Sequence, residues 1–409
     1  MTELSAVPPH VPTHLVRDFD FAAVPGAHDD VHLAWQRLHD GPRLFWSPHY
    51  GGHWVATRAD DIERIQTDHR VFSHREFSLP RGYKPFPFVP LEADPPEHAD
   101  YRRVIAPFFS PVVVARLESQ VRQLTISLIE SFKPRGSCEF VAEFARHLPV
   151  TVFLGMMDLP LAERERFIGW GEVMTRATSS KEKQDVLRQT VEYLSRFIAE
   201  RTASPKDDLI SRVVKAEVNG RPVRQDEVLG MTTLLFFGGL DTVASMLSFA
   251  ARFLARNPSH RRQLIDDPKL IPGAIEEFLR RHGLSNTVRI LNEDAELCGV
   301  QLKKDDIIMV PISLHGMDER RFPDALSLDF KRKPVHATFG NGPHRCPGSN
   351  LARTEVRVFL EEWLKRIPEF EITPGEQSRT ATGAVNTVTY LPLSWPVDGS
   401  RYDRQEVEP

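Results

Sequence analysis

The sequence has few cysteines and no excess of charge of either sign, and both shortages exclude classes of protein. Among its 409 residues only Cys138, Cys298 and Cys346 are cysteines, which is too few for a disulfide framework and fits a reducing compartment. Cys138 and Cys298 have no distinctive surroundings, and we expect them to be small buried hydrophobes. The 52 basic and 56 acidic side chains give a formal net charge of −4, so no basic excess points to nucleic acid.

Long apolar runs are also missing. No uninterrupted stretch approaches the ~20 residues that a membrane-spanning helix needs, because the most apolar one, from Met231 onward, is broken by Gly238, Gly239 and Asp241. The first residues lack the charged segment followed by an apolar one that signal peptides have. We therefore expect a soluble, cytoplasmic protein that binds neither nucleic acid nor a membrane.

Helical periodicity dominates the sequence, and its 32 prolines fall largely at the boundaries of the predicted elements. Residues 43–46 and 53–57 are typical of a hairpin, and residues 1–20 look irregular. The predicted helices are 111–132, 139–157, 161–176, 182–202, 206–217, 225–256 and 351–367. The predicted strands are 288–291, 296–302, 307–310 and a pair near 383–396. This pattern indicates a mainly α protein with a minor β portion.

The stretch 225–256 contains no proline and is apolar on most of its circumference, which predicts a long buried helix. At 1.5 Å per residue it would span about 48 Å, the width of a large domain. Its middle nonetheless has the sequence GGLDT from Gly238 to Thr242, where each glycine costs about 1 kcal/mol relative to alanine and a buried carboxylate costs more. Small residues let a flat or bulky group approach the helix, and an acid beside an alcohol can handle protons. The alternative is a tolerated weak spot in a core helix.

Cys346 lies in the loop FGNGPHRCPG, from Phe339 to Gly348, directly before a predicted helix. A bent loop whose amides converge, a helix N-terminus and the neighbouring His344 and Arg345 all stabilise a thiolate, so we predict a sulfur with a lowered pKa. No second cysteine is near enough for a redox pair or a zinc knuckle, and His344 is poorly placed as the general base of a nucleophile. Two roles remain for Cys346. It binds one metal ion that belongs to a larger cofactor, or it is an inert cysteine in a loop.

The loop from Phe339 to Gly348 resembles the haem-binding signature of the cytochromes P-450. Three other segments agree with this in order and separation. HADYR from His98 is similar to the family's HxxxR helix, GGLDT to its oxygen-activating motif, and EFLR from Glu277 to its ExxR motif. The resemblance covers about residues 20–400, and it is closest to the soluble bacterial camphor-hydroxylase branch.

The resemblance implies a set of roles around haem b. Cys346, as a thiolate, would be the iron ligand, and Asp241 and Thr242 would handle protons during oxygen activation. Glu277 and Arg280 would form a structural pair without a chemical role. The other haem-contacting residues that the resemblance carries over, the first four of them as partners of the propionates, are His344, Arg102, Arg289, His98, Phe339 and Gly239.

The substrate pocket implied by the resemblance is apolar, which suits a compact hydrophobic molecule. A covering loop, residues 77–90, and the central helix supply most of it. Phe86 stands where the camphor branch has the tyrosine that binds the substrate ketone, and Phe237 is bulkier than the valine of that branch, so both residues count against camphor itself. The matching positions are Phe86, Tyr83, Phe88, Leu234, Phe237, Gly238, Ser285, Val288 and Val385.

The resemblance therefore implies a single cytochrome P-450 domain over residues 1–409, with a long central helix over the haem. We expect a monomeric monooxygenase that uses dioxygen to hydroxylate a terpenoid or norisoprenoid ketone. No nucleotide-binding fingerprint is present, so electrons must come from outside. The camphor branch implies a 2Fe–2S ferredoxin served by an NADH-dependent reductase, docking near Arg102 and Arg345. A peroxide-driven haem-thiolate enzyme and a non-catalytic haem sensor are alternatives, but neither needs the acid–alcohol pair.

Overall fold

Helices build most of the molecule and short strands the rest, as the sequence predicts. The computed structural model describes residues 4–82 and 84–397. The helices are α1 Ala27–Gln36, α2 Ala59–Thr67, α3 Glu97–Ile105, α4 Pro111–Phe132, α5 His147–Met157, α6 Arg164–Arg176, α7 Ser180–Ala203, α8 Leu209–Val214, α9 Gln225–Gly238, α10 Thr242–Arg256, α11 Pro258–Asp266, α12 Ile271–Arg281, α13 Ile312–Gly316 and α14 Ser349–Arg366. The strands are β1 Leu44–Ser47, β2 His53–Ala56, β3 Phe72–Ser73, β4 Ser137–Glu139, β5 Glu217–Val218, β6 Arg221–Pro222, β7 Asn286–Leu291, β8 Ala295–Leu297, β9 Val300–Leu302, β10 Ile307–Pro311, β11 Glu371–Ile372, β12 Arg379–Ala381, β13 Thr387–Tyr390 and β14 Pro392–Ser394.

The largest sheet brings distant parts of the chain together in the strand order β1-β2-β10-β7-β3. Its first two strands form the predicted antiparallel hairpin, with Trp46 opposite Trp54. Strand β10 then pairs in parallel with β2 and in antiparallel with β7. The sheet thereby fixes β7, which carries Arg289, beside β3 and the covering loop that follows it.

Two strand predictions need correction. The predicted strand 296–302 is a hairpin, because Cys298 and Gly299 adopt φ values of 55° and 75° and close a two-residue turn between β8 and β9. The predicted pair near 383–396 is two strands that do not pair with each other. Strand β13 pairs with β12, whereas β14 pairs with β11 and β4. Only Leu391 separates β13 from β14, which is too short a connection for a hairpin.

The predicted helix 225–256 is present but interrupted. Helix α9 ends at Gly238 and α10 begins at Thr242. A Cβ placed on Gly239 would lie 2.4 Å from the ring of Phe153 on α5, so this glycine admits a close helix crossing at the break. By length and composition the stretch Gln225–Arg256 could cross a membrane, but 67% of its most apolar window is buried inside the protein, as expected of a core helix.

Glu277 and Arg280 form the predicted pair, and both are fully buried. Arg280 Nε lies 2.7 Å from Glu277 Oε1, and its two terminal nitrogens donate to the carbonyl oxygens of Gly316, Ala325 and Ser327 at 2.6 to 2.7 Å. A buried charge pair contributes to a fold only when its remaining hydrogen-bonding groups are satisfied, and here they are. The pair ties α12 to the segment that leads into the cysteine loop.

The covering loop packs directly on the central helix. A Cβ on Gly230, in the interior of α9, would lie only 1.9 Å from the carbonyl oxygen of Pro87 and 3.6 Å from the ring of Phe86. The absence of a side chain at this position therefore sets how closely the loop approaches the helix.

Gly230→Ala tests this contact. Alanine favours a helix over glycine by about 1 kcal/mol, but here its methyl group must displace the Pro87 backbone, and overpacking costs about 1–3 kcal/mol. We expect a lower thermal unfolding midpoint for Gly230→Ala. The control is Gly169→Ala on α6, where a Cβ would meet no atom within 4 Å and should stabilise. A Gly230→Ala protein as stable as Gly169→Ala would contradict the close contact.

Candidate active site

The loop that carries Cys346 is held by its own backbone and by α2. The Cys346 N–H donates to the carbonyl oxygen of Phe339 at 2.7 Å. Gly342 has a φ of 70°, and a Cβ there would lie 2.9 Å from the carbonyl oxygen of Gln66, so only glycine fits. Asn341 Nδ2 donates to Gln66 Oε1 at 2.9 Å. These contacts fix the sulfur just before the first turn of α14.

The Cys346 side chain is accessible to solvent. Protein nevertheless surrounds it closely, and burial raises the pKa of its thiol, while the Gly348 N–H and the charges of Arg102, Arg345 and Arg353 act in the opposite direction. The accessible surface therefore faces a recess rather than the open surface. The prediction of a lowered pKa is wrong for the polypeptide by itself, because loss of hydration outweighs the nearby positive charges.

The residues expected to hold propionates come together from three elements. His98 and Arg102 lie four residues apart on α3, Arg289 lies on β7, and His344 lies in the cysteine loop. The rings of His98 and His344 are 4.3 Å apart, and Arg102 Nη2 donates to the carbonyl oxygen of Arg345. Sequence reasoning missed a fifth member, His74, whose ring centroid is 3.7 Å from that of His344.

This cluster holds buried nitrogens that lack a hydrogen-bond partner. Arg289 and His98 are each 4% exposed. Burial lowers the pKa of Arg289 to about 9 and that of His344 to about 2. Across residues 4–82 and 84–397, the atoms of this cluster without a partner are Arg289 Nε, His98 Nε2, and both ring nitrogens of His74 and His344. A recess beside a cysteine loop, lined by unpaired cationic and donor groups, fits a bound group that carries carboxylates, and haem b with its two propionates is such a group.

The break in the central helix places Asp241 and Thr242 at one point. Asp241 is 7% exposed, and its Oδ1 accepts a hydrogen bond from Arg176 Nη2 at 2.9 Å. Its other oxygen, Oδ2, is buried and has no partner. The Thr242 hydroxyl donates to the carbonyl oxygen of Gly238 at 3.3 Å. Asp241 is thus anchored at one carboxylate oxygen, and the other makes no hydrogen bond within the described residues.

Arg176 is a site residue that sequence reasoning missed. It closes α6, 65 positions before Asp241, and nothing in its neighbourhood along the chain marks it. Its Nη1 lies 3.5 Å from Glu172, and Glu172 in turn pairs with Arg146 at 2.5 Å. Alternating charges therefore lead from Asp241 to a partly exposed part of the protein.

The predicted pocket residues differ in how much surface they present. Gly238 is exposed and Phe86, Leu234, Phe237 and Ser285 are partly buried, whereas Phe88, Val288 and Val385 are buried. Tyr83 lies outside the described residues. In the covering loop the ring of Phe88 lies 5.6 Å from Phe86. Lys84 Nζ pairs with Glu76 and Glu92 and lies 4.3 Å from the centre of the Phe77 ring, so a buried ammonium group helps to hold the loop.

The sequence of the chain is similar to that of a known protein family and of several of its members. The family model for cytochrome P-450 matches residues 174–389. The chain is 34% identical to the probable cytochrome P-450 127A1 of Sinorhizobium fredii, over 95% of this chain and 97% of that protein. It is 32% identical to the erythromycin C-12 hydroxylase of Saccharopolyspora erythraea, over 84% and 89% of the two chains.

Solved structures agree with the sequence relatives. The crystal structures of CYP101J2 and CYP101C1 superimpose with TM-scores of 0.87 and 0.88, each with 38% identity over 96% of this chain and 100% of the other. These neighbours confirm the predicted position near the camphor-type branch. Since both fold and sequence match along nearly the whole length, the chain belongs to the cytochrome P-450 family, whose members bind haem b through a cysteine thiolate.

Proposed function

We propose that this chain is a cytoplasmic, monomeric haem-thiolate monooxygenase that hydroxylates a small terpenoid or norisoprenoid ketone, with electrons from a 2Fe–2S ferredoxin. The observation that carries the proposal is the buried, half-anchored Asp241 beside Thr242 at the break of the central helix. A haem protein that only carries or senses a ligand has no need of a buried acid and an alcohol at an interrupted helix.

The residues around the recess have distinct tasks in this proposal. Cys346 supplies the sulfur ligand, and His344, Arg102, Arg289 and His98 donate hydrogen bonds to the two propionates. Phe339 and Gly239 border the haem. Thiolate-ligated haem supplies reductive activation of dioxygen, which a thiolate promotes more strongly than a histidine ligand does.

Proton handling falls to the chain's own residues. Arg176 occupies and orients Asp241 Oδ1, so Oδ2 is the oxygen that remains open to a proton. The Thr242 hydroxyl donates to the Gly238 carbonyl and could turn from that bond towards the recess. A hydroxyl both donates and accepts, so Thr242 can pass on a proton that Asp241 provides.

The pocket residues fit an apolar substrate. Phe86, Leu234 and Phe237 are partly buried among other hydrophobic side chains and offer no polar group. Orientation of the substrate therefore depends on shape, with Ser285 as the polar residue among those predicted lining positions that the structure describes. Camphor is a poor candidate for the natural substrate because Phe86 cannot hydrogen-bond its ketone.

A binding titration followed by turnover tests the proposal. Terpenoid and norisoprenoid ketones should convert the haem from low to high spin, and the converted ligands should be hydroxylated in the presence of NADH, a ferredoxin reductase and a 2Fe–2S ferredoxin. Reduction under carbon monoxide should give the red-shifted Soret band of thiolate ligation. Spin conversion only by alkanes or bulky macrolides, or turnover only with added peroxide, would overturn the assignment.

Thr242→Ala should uncouple electron use from product formation. Without the hydroxyl, proton delivery is misdirected, so NADH oxidation should continue while peroxide accumulates. General acid–base groups contribute about 100-fold or more, and we expect the product formed per NADH to fall at least tenfold. Thr242→Ser keeps a hydroxyl and is the control. Unchanged coupling in Thr242→Ala would remove Thr242 from proton delivery.

Arg345→Glu should slow reduction by the ferredoxin. Arg345 is exposed beside the cysteine, whereas Arg102 is drawn inward towards the Arg345 carbonyl, so Arg345 carries the accessible charge. Electrostatic attraction raises association rates and is weakened by salt. We expect ferrous-haem formation at low ionic strength to slow about tenfold, and its salt dependence to shrink. The matched control is Arg188→Glu on α7, where the side chain is 69% exposed. Equal slowing in both variants would contradict docking at this face.

A further inference from the structure

His74 has the surroundings of a ligand-binding residue without an assigned role. It directly follows β3 and is 3% exposed. Its ring is tilted by 31° against that of His344, and neither of its nitrogens has a hydrogen-bond partner among the described residues. A buried imidazole always carries at least one N–H, and leaving that donor unpaired destabilises the fold. The position therefore calls for an acceptor.

The nearby carboxylate of Asp94 already accepts hydrogen bonds from other groups. Asp94 accepts from the hydroxyl of Ser73 and, at 3.1 Å, from the backbone N–H of His74. It does not reach the imidazole, although its charge acts on Arg289 and His98. The other close neighbours of His74 are Arg289, His344 and His98. A neutral imidazole offers one acceptor nitrogen, but neither His344 nor His98 makes a hydrogen bond with His74. An acceptor for the His74 N–H can therefore come from a group bound in this recess.

We propose that His74 donates a hydrogen bond to a haem propionate and so extends the carboxylate-binding set to three imidazoles and two guanidinium groups. This inference rests on the proposed assignment of His98, His344, Arg102 and Arg289 to the propionates. His74 lies beside His344, with 3.7 Å between the ring centroids, and it shares with His98, His344 and Arg289 the presence of buried nitrogens that have no partner among the described residues.

The alternative is that His74 acts only through His344, by holding its ring in place. The two roles differ in what they require of the haem. A hydrogen bond from His74 is strong when its acceptor is an ionised propionate and much weaker when the acceptor is a neutral ester carbonyl, whereas stacking on His344 does not depend on the charge of the propionate. Haem in which both propionates are methyl esters therefore separates the two roles.

The experiment measures haem loss from the loaded protein to excess apomyoglobin, with no substrate or electron donor present. His74→Phe keeps a flat ring over His344 and removes the donor. We expect haem to leave this variant about tenfold faster than the wild type, since a hydrogen bond to a charged group is worth about 1.5 kcal/mol or more. With haem dimethyl ester the difference between the two proteins should be much smaller, because an uncharged ester carbonyl is a weaker acceptor than a carboxylate.

His282→Phe is the matched control, because His282 is also buried, also has two unpartnered ring nitrogens, and stacks on Phe249 instead of His344. It should leave haem loss unchanged with either cofactor. If His74→Phe does not fold, His74→Asn replaces it; the shorter side chain should still accelerate loss of haem more than loss of its ester. Equal acceleration with haem and its ester, or none with haem, would falsify the proposal. Because turnover is not involved, this outcome is independent of the substrate and ferredoxin proposals.

Discussion

The structure depends on burying positive charge for which the chain supplies only a distant counter-charge, that of Asp94. Arg289 lies inside the protein with histidines on several sides, and its Nε has no partner. Such a cluster opposes folding of the bare chain, because unpaired buried donors and cations are costly. A dianionic cofactor removes that cost on binding. Haem binding and folding stability should therefore be linked, since a ligand that binds only the folded state stabilises it.

The same recess explains the state of Cys346. In the polypeptide alone, burial outweighs three nearby arginines and raises the pKa of the thiol. The loop geometry that holds the sulfur is nevertheless complete, through the Phe339 carbonyl and the fit of Gly342 against α2. Position is therefore built into the chain, whereas ionisation follows from metal binding, which deprotonates a thiol. The sequence prediction treated the position of the sulfur and its ionisation as one property. It therefore assigned a lowered pKa to Cys346 in the polypeptide without a bound metal.

Local patterns predicted the features that depend on neighbouring residues. Apolar spacing indicated the helices, and the ExxR and cysteine motifs marked the buried pair and the loop correctly. The errors and omissions involve partners that are far apart in the chain. Arg176 meets Asp241 only because α6 packs against the break in the central helix, where Gly171 lies close to Leu240, and His74 meets His344 across 270 positions. The pairing of β13 and β14 with different strands likewise depends on tertiary contacts. The alternation of apolar and polar residues along one strand does not specify which strand it pairs with.

The break in the central helix leaves the side chain of Asp241 without a capping hydrogen bond, and this explains the break better than a tolerated weak spot does. An aspartate at the N-cap of a helix ordinarily accepts a hydrogen bond from the first turn, which stabilises the helix by about 1 kcal/mol. Asp241 is the N-cap of α10, yet its side chain makes no such bond and pairs with Arg176 instead. Helix α10 therefore lacks this capping hydrogen bond, and the glycines that precede Asp241 weaken the start of the helix further. What the chain retains is a buried carboxylate oxygen that is committed to no backbone N–H, which is the condition for carrying a proton beside Thr242.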